Sequence, residues 1–481
     1  MLDALRDAWS WLHTFQHFTL YLTVGWAAYL VWLGGWIVLQ KRAPAATLSW
    51  LLGLALLPYV GFFIYYVFGP QRIKRQRLRR ARTRVALPDA EGAIEGAETA
   101  ELARLAQATT GLPPTTATNV RLLVDGAATY DALLAAIRDA RHHIHLEYYI
   151  FDADRTGAAL RDALVERARN GVAVRLLLDA VGSAACPPRF FASLLAAGGE
   201  LAWFHPMRLG RIWKRPWLNL RSHRKIVVVD GRIAFTGGIN ITDEQNERLR
   251  SDAYRDLHLR LEGDAVRPLQ VVFVEDWAYA TRTRDFISSV AMAMPPARAG
   301  DIQAQVVTSG PDSPWEAIHR VHVGAIHAAR QRVWLVTPYF VPGGAALMAL
   351  TSAAMAGLDT RLLVPRMSDS RLVTYAARSY FDELMAAGVK VYEYGPRMLH
   401  TKALLVDDNV AIIGSANFDA RSFRLNFEVS VLFRDVAVAA ELAQVIEGEF
   451  AHAPRVREQR AQPLWSVRLP EALARVLSPL L

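Results

Sequence analysis

One pattern occurs twice in this chain, and it constrains the fold more than any other feature. His223-Arg224-Lys225 leads into Ile226–Val229, then Asp230, then Gly237-Gly238-Ile239-Asn240. His400-Thr401-Lys402 leads into Ala403–Val406, then Asp407, then Gly414-Ser415-Ala416-Asn417. The spacings from His to Lys, Lys to Asp, Asp to Gly and Gly to Asn are the same in both copies. Each copy predicts a β-hairpin: a short apolar run, a turn opening at the Asp, and an apolar run back. Side chains alternate faces along a strand, so His and Lys share one face. With the first turn centred on Asp230-Gly231, His223 is expected opposite Gly238 and Lys225 opposite Thr236, with Asn240 on the same face. The second copy gives His400, Lys402, Ser415 and Asn417 by the same count.

Imidazole serves as nucleophile or general acid near neutral pH. Lys and Asn donate hydrogen bonds to anionic oxygens. Two such hairpins opposed gather two His, two Lys and two Asn around one point. That set suits displacement at a phosphodiester: one His attacks phosphorus, the other protonates the leaving oxygen, and Lys and Asn hold the remaining oxygens. Asp230 and Asp407 complete the motif but sit at the turn, far from the His end, and read as structural turn residues. A core hairpin with His and Lys at its strand starts would explain one copy, not two in register. A metal centre is not expected, because the neighbours of each His are Lys and Asn and no Cys-x-x-Cys or His-Glu-x-x-His pattern occurs. No cofactor is expected either.

The duplication extends beyond the hairpins. Ala140–Tyr149 matches Ala329–Pro338, Gly171–Leu178 matches Gly357–Val364, and Ala197–Leu201 matches Ala387–Val391. Each half reads strand, helix, strand, helix, strand, then the motif hairpin. Apolar runs alternating with helices predict an α/β sandwich in each half, over 119–290 and 301–481. Residues 71–118 read as a basic run followed by a linker, with one helix near Glu98–Gln107. His142, His143 and His145 form a cluster expected at the surface and strand edge. An insertion between Phe204 and Arg221 carries basic and aromatic residues, which suit a headgroup interface or a packed loop. The segment Leu464–Leu481 is amphipathic and fits either a membrane surface or the core.

The first 70 residues differ in kind. Two apolar runs, about 19–39 and 46–68, each approach the ~20 residues that cross a bilayer as a helix. They predict a two-helix transmembrane hairpin over 1–70. Eight basic residues from Arg72 to Arg84 follow without an acid. That run places the catalytic halves on the cytoplasmic side and against anionic lipid. It also accounts for most of the net charge of +9, leaving no broad basic footprint for nucleic acid. The single cysteine, Cys186, excludes an internal disulfide.

The paired H-x-K-x4-D-x6-G-[GS]-x-N pattern resembles the phospholipase D superfamily. The resemblance implies two tandem phospholipase D-type α/β/α sandwich domains related by a pseudo-twofold axis. It makes His223 the nucleophile and His400 the acid, with Lys225, Lys402, Asn240, Asn417, Ser415 and Gly238 around the phosphate. It also implies a downstream carboxylate orienting each His. Glu428 stands eleven residues after Asn417, as the family pattern expects. Ser251 holds that offset in the first half, so Asp256 is taken as the equivalent, displaced by a short insertion. Gly238 replaces the usual Ser. Trp50, Pro58, Gly61, Tyr65, Tyr66 and Phe68-Gly69, Thr337–Pro342 and the Leu477–Leu481 ending are similar to bacterial cardiolipin synthases. That family implies phosphatidylglycerol and anionic membrane lipid as partners, a multi-pass place in the bacterial inner membrane, and transfer of a phosphatidyl group through phosphohistidine. A phosphatidyltransferase or hydrolase acting on another headgroup, a nuclease with the same motif pair, and a silent membrane scaffold are the alternatives.

Overall fold

The computed structural model describes residues 18–39, 44–57, 61, 64–65, 97–206, 219–457, 460 and 463–477. The basic run from Arg72 to Arg84, most of the 205–221 insertion and residues 478–481 lie outside them, as does part of the second expected span.

The first half builds one seven-stranded sheet from β2 (Asn119–Val124), β3 (His143–Tyr148), β4 (Ala173–Asp179), β5 (Glu200–Phe204), β6 (Ile226–Val229), β7 (Ile233–Gly237) and β8 (Leu257–Glu262). Their spatial order is β2-β8-β7-β6-β3-β4-β5. The second half repeats this with β9 (Ile302–Ser309), β10 (Arg332–Val336), β12 (Asp359–Pro365), β13 (Lys390–Tyr394), β14 (Ala403–Val406), β15 (Val410–Gly414) and β17 (Glu428–Arg434). The order β9-β17-β15-β14-β10-β12-β13 corresponds strand for strand. In each sheet the last three strands run parallel through helical crossovers, and the motif hairpin joins antiparallel. The halves thus carry a leading strand and a closing strand beyond those expected. The short strands β11 (Phe340–Val341) and β16 (Phe418–Asp419) pair separately.

Helices cover the outer face of each sheet. The helices Asp125–Asp139 and Arg155–Arg169 bury Leu133, Ile137, Leu160 and Leu164 against β3 and β4. The helices Ala317–Ala328 and Gly344–Met355 cover the second sheet in the same way. The inner faces of both sheets meet in one continuous core with the helices Val266–Thr281 and Val436–Phe450, in which Ile226, Val228, Leu405 and Ile413 are all fully or nearly fully buried. A shared core makes the halves mutually dependent for burial, which dominates folding free energy.

Residues 97–117 belong to the second half rather than to a linker. The helix Ala97–Thr110 packs Leu102 and Ala106 into the second outer core. The strand β1 (Thr115–Ala117) then adds an eighth, edge strand beside β9, with Thr115 opposite Ala304. The chain next returns to the first half through β2.

Each motif hairpin is one residue out of the expected register. Ile226, not Lys225, lies opposite Thr236, and Val229 pairs with Ile233. The turn explains this. Asp230 and Gly231 both adopt left-handed backbone (φ 52° and 62°), Arg232 N donates to Val229 O at 3.0 Å, and Arg232 is left over as an extra residue. The second copy also has a three-residue loop, with Val406 opposite Val410. A one-residue slip exchanges the faces of the return strand. Gly237, at φ 151°, then redirects the chain at the end of β7.

His143 and His145 are buried, not at the surface. Strand β3 is central and covered on both faces, so both rings turn inward onto Gln270 Oε1, at 3.1 Å each, and His145 stacks on Phe273. Burial holds both imidazoles below their ordinary pKa.

The N-terminal unit is separate. The helix Phe18–Leu39 contains the one span among the described residues, Leu20–Leu39, that is long and apolar enough to cross a membrane. The following helix, Pro44–Leu56, has 13 described residues, and the rest of the second apolar run is only partly described. Leu33 and Ile37 of the first helix cluster with Leu54 and Tyr65, and Trp50 meets Tyr65 edge-on at 5.1 Å.

Candidate active site

The site lies where the two halves meet, and backbone hydrogen bonds stitch it together. Ser222 and Phe427 form a parallel bridge, with Phe427 N donating to Arg221 O and His223 N to Phe427 O, both at 2.9 Å. Across the pseudo-twofold, Arg255 and Leu399 form the matching bridge, with Arg255 N donating to Met398 O at 2.8 Å and His400 N to Arg255 O at 2.6 Å. Each stitch sets the residue before a motif His beside the residue before a carboxylate of the opposite half.

The histidine–carboxylate pairs are therefore crossed. His223 Nδ1 lies 3.0 Å from Glu428 Oε2, and His400 Nδ1 lies 2.5 Å from Asp256 Oδ2. Asp256 and Glu428 are equivalent by register: His258 stands opposite Gly237 and Ser430 opposite Gly414, and each carboxylate precedes that position by two. Both carboxylates are inaccessible. Burial raises a carboxylate's pKa, but Lys402 and His400 around Asp256, and His223, Lys225 and Ser415 around Glu428, outweigh it and hold both below the ordinary range. Burial first, and the nearby lysines second, push the imidazoles down, His400 to about 4. Ionised carboxylates beside neutral imidazoles keep the proton on Nδ1 and the Nε2 lone pair free.

Lys225 and Lys402 are buried beside them, and each Nζ donates to the carbonyl of the preceding motif His, Lys225 at 2.9 Å. Burial lowers Lys225 to about 7 and Lys402 to about 8. Asn240 and Asn417 are buried as well, each with its main-chain N held by a residue five positions on: Gln245 Oε1 at 2.5 Å and Ser422 Oγ at 3.2 Å. Among the described residues, Asn417 Oδ1 has no hydrogen-bond partner. Aromatic rings flank both imidazoles, Tyr149 at 4.9 Å from His223 and Tyr254 at 5.6 Å from His400.

Asp230 and Asp407 stand apart from this centre, although they belong to the motif. Each lies seven positions along largely extended chain from its His, roughly 20 Å. Asp230 accepts from the backbone N of Arg141, His142 and His143, and Asp407 from Arg330, Gln331 and Arg332. They fix the hairpin turn to the start of the neighbouring strand and touch no reacting group.

Two contributors escaped the sequence reading. Gln245 Nε2 donates to Asp256 Oδ2 at 3.2 Å while its Oε1 holds Asn240 N. Its signal was the Asn-x4-Gln spacing, matched by Asn-x4-Ser from Asn417 to Ser422. Asp125 is the other. From a left-handed conformation (φ 68°) its carboxylate accepts from Arg255 at 2.8 Å, Arg397 at 2.5 Å and Asp256 N at 3.2 Å. It thereby ties the segments leading to Asp256 and to His400. No local spacing announces it. Among the described residues, no group of three His, Cys, Asp or Glu is arranged to hold a metal ion.

The family model described as "Cardiolipin synthase, PLD-like domain" matches residues 133–277 and 323–452, more than half of the chain. The chain belongs to the phospholipase D-like cardiolipin synthase family. A second model, for a phospholipase D-nuclease N-terminal segment, matches residues 26–70. The cardiolipin synthase of Geobacillus kaustophilus is 39% identical over 461 residues, covering 92% of this chain and 91% of its own. That of Halalkalibacterium halodurans is 39% identical over 473 residues, covering 94% and 92%. Among solved structures, phosphatidylserine synthase from Haemophilus influenzae matches with a TM-score of 0.60 at 15% identity, covering 79% of this chain and all of that one; the two share the fold.

Against this family background the two motif copies are not interchangeable. Ser415 Oγ donates to Glu428 Oε2 at 2.5 Å and accepts from Val429 N at 3.0 Å. At the equivalent Gly238, a Cβ would lie 2.1 Å from Asp256 Oδ1. Asp256 occupies that space and finds its donors in Gln245 and Leu257 N instead. Gly238→Ser, which would copy Ser415 of the second motif, is expected to displace Asp256 and lower kcat by about 10–100-fold, the scale for a misplaced group at a reacting centre. Steady-state rates with thermal melts as a folding control check this; an active Gly238→Ser enzyme would show that Asp256 has room to move.

Proposed function

We propose that this protein joins two phosphatidylglycerol molecules into cardiolipin and glycerol, through a phosphatidyl group carried on His223. The observation that carries the reading is the pair of crossed contacts, His223 to Glu428 and His400 to Asp256. They leave two Nε2 atoms available to one phosphodiester, with two buried lysines to balance its charge. His223 Nε2 attacks phosphorus, and the bond to the glycerol headgroup oxygen breaks. His400 gives that oxygen its proton. The bound phosphodiester anion favours the protonated imidazole, so this proton enters with the substrate. Neutral His400 then takes the proton from a headgroup hydroxyl of the second phosphatidylglycerol. Its oxygen attacks phosphorus and the P–N bond breaks. Asn240 and Asn417 complete the surroundings of the phosphate, while the Ser415 hydroxyl, expected there too, is committed to Glu428 and Val429 N, and Asn417 Oδ1, which no described residue bonds, suits a headgroup hydroxyl. One diester replaces another, so the reaction is close to reversible.

The product ratio tests this. Purified protein in phosphatidylglycerol vesicles is expected to yield cardiolipin and glycerol in equal amounts, at a rate unchanged by a chelator, with added glycerol driving the reaction backwards. Phosphatidic acid as the main product would mean that water is the acceptor and the protein a hydrolase.

The finer topology belongs to the same reading. Two spans, about 19–39 and 46–68, would form a multi-pass anchor, with the basic run after Phe68 holding the catalytic halves in the cytoplasm. An Ala90→Cys protein should resist an impermeant thiol reagent in intact cells; prompt labelling would reverse the orientation.

A further inference from the structure

The last helix of the chain is turned inside out. Leu469–Leu477 follows a π-helical turn, Leu464–Arg468. A helix on the surface of a soluble domain buries its apolar stripe and exposes its charges. Here Glu471 is buried, and Arg460 grips its carboxylate with two bonds of 2.7 and 2.8 Å. Arg475 turns back over the Tyr380 ring, 4.3 Å from its centre, and bonds Ser379 O at 3.0 Å and Glu383 at 2.9 Å. Ala474 packs into the second outer core. The opposite face is apolar and open: Leu464, Trp465, Leu469, Leu473, Val476 and Leu477 are all exposed, Trp465 by 79% and Val476 by 76%. The ion pairs fix the helix on its polar side, so it cannot roll its apolar side inward without breaking them.

We propose that this face docks on the surface of an anionic lipid bilayer and sets the mouth of the active site at the headgroup plane. The inference rests on the lipid substrate proposed above. Three observations choose the bilayer over a second copy of the chain. Within 464–477 every exposed charge is positive, since the only acid, Glu471, is buried. Leucines with a tryptophan, edged by Arg468, match an interface that is apolar below and anionic above. The chain also carries an apolar helix, Leu20–Leu39, long and apolar enough to cross a membrane. The face also continues toward the reaction centre. The helix Leu469–Leu477 packs on Arg371–Arg378, whose Leu372 is exposed, as is Met367 just before it. Between these two, Asp369 accepts from Tyr339 Oη at 2.7 Å, and Thr337 Oγ1 donates to Tyr339 O at 2.9 Å while accepting from Phe418 N, next to Asn417, at 3.0 Å. The apolar face and the reacting groups are thus joined by one short segment, Met367–Leu372.

The test uses the full chain in phosphatidylglycerol vesicles. An environment-sensitive dye is attached at Leu473→Cys or, as a control, at the exposed Glu166→Cys on a helix of the first half; the native Cys186 is buried, its thiol pushed up to about 12, and stays in place. Lipids brominated in the acyl chain are expected to quench the dye at position 473 at least about threefold more than at 166, as for a side chain below the headgroups. Equal quenching at the two positions overturns the proposal. So does a blue shift at 473 that appears without lipid and grows with protein concentration, which would make the cover a second copy. Trp465→Ser with Leu473→Ser should raise the phosphatidylglycerol fraction needed for half-maximal rate by about 3–10-fold with kcat unchanged, since two apolar anchors are lost; an unchanged half-saturation also overturns it. Quenching requires no turnover. A protein that docks yet makes no cardiolipin would therefore sink the proposed reaction and leave the docking face standing.

Discussion

Alanine at His400 is expected to lower cardiolipin formation by about 10⁴-fold and to trap the phosphatidyl group on His223, because general acid–base catalysis contributes up to that range. The trap is best seen with a phosphatidyl ester of p-nitrophenol. Nitrophenolate leaves without a proton, so formation of the adduct no longer needs His400. The second step still does, since His400 is the base proposed for the incoming hydroxyl. One equivalent of nitrophenolate per chain should appear in a burst, followed by almost none. Mass spectrometry should place the phosphorus on the peptide that contains His223. His223→Ala should give no burst. With both residues acting on one phosphorus, as proposed, the double variant should be little worse than either single one. An adduct on His400 in the His223→Ala protein would exchange the two roles.

The crossed carboxylates make the second large effect. Glu428→Gln and Asp256→Asn should each cost about 10²–10⁴ in turnover, the scale for losing the group that fixes a catalytic imidazole's tautomer. The steps they affect should differ, and should follow the contacts rather than the sequence. Glu428 lies in the second half but contacts His223, so Glu428→Gln should slow the nitrophenolate burst. Asp256 lies in the first half but contacts His400, so Asp256→Asn should leave the burst rate intact and slow only the turnover after it. The opposite pattern would mean that each carboxylate serves the histidine of its own half. Thermal melts accompany both measurements, because each substitution leaves a buried ring with an altered partner.

The sequence disclosed the elements that repeat and hid the contacts that cross. The motif hairpins were legible because every spacing within them occurs twice. Their register was not, because the extra residue Arg232 depends on two successive left-handed residues, Asp230 and Gly231, rather than on composition. The pairing of His223 with Glu428 spans 205 residues and that of His400 with Asp256 spans 144, and no local pattern encodes a contact between halves. His143 and His145 look like polar strand positions, yet a strand covered on both faces has no outward side. Gln245 and Asp125 act through the carboxylate and the segments beside the reacting groups, so their types alone carried no message.

The small strand β1 has a consequence for how the chain is made. It is synthesised before the whole first half, but its partner β9 begins at Ile302. At about 5–20 residues per second on the ribosome, the helix Ala97–Thr110 and its strand wait roughly 10–40 s for that partner to emerge. During that interval Leu102 and Ala106 have no core to enter, and the inner faces of β6 to β8 have no opposite sheet. Folding cannot close half by half from the N-terminus. The first sheet forms with one face uncovered, and the arrival of the second clamps both the waiting strand and the open face at once. A nascent chain halted near residue 290 should therefore be held by chaperones and cut readily by protease within 97–117. The strand that joins two halves of a finished enzyme is, on the ribosome, a loose end.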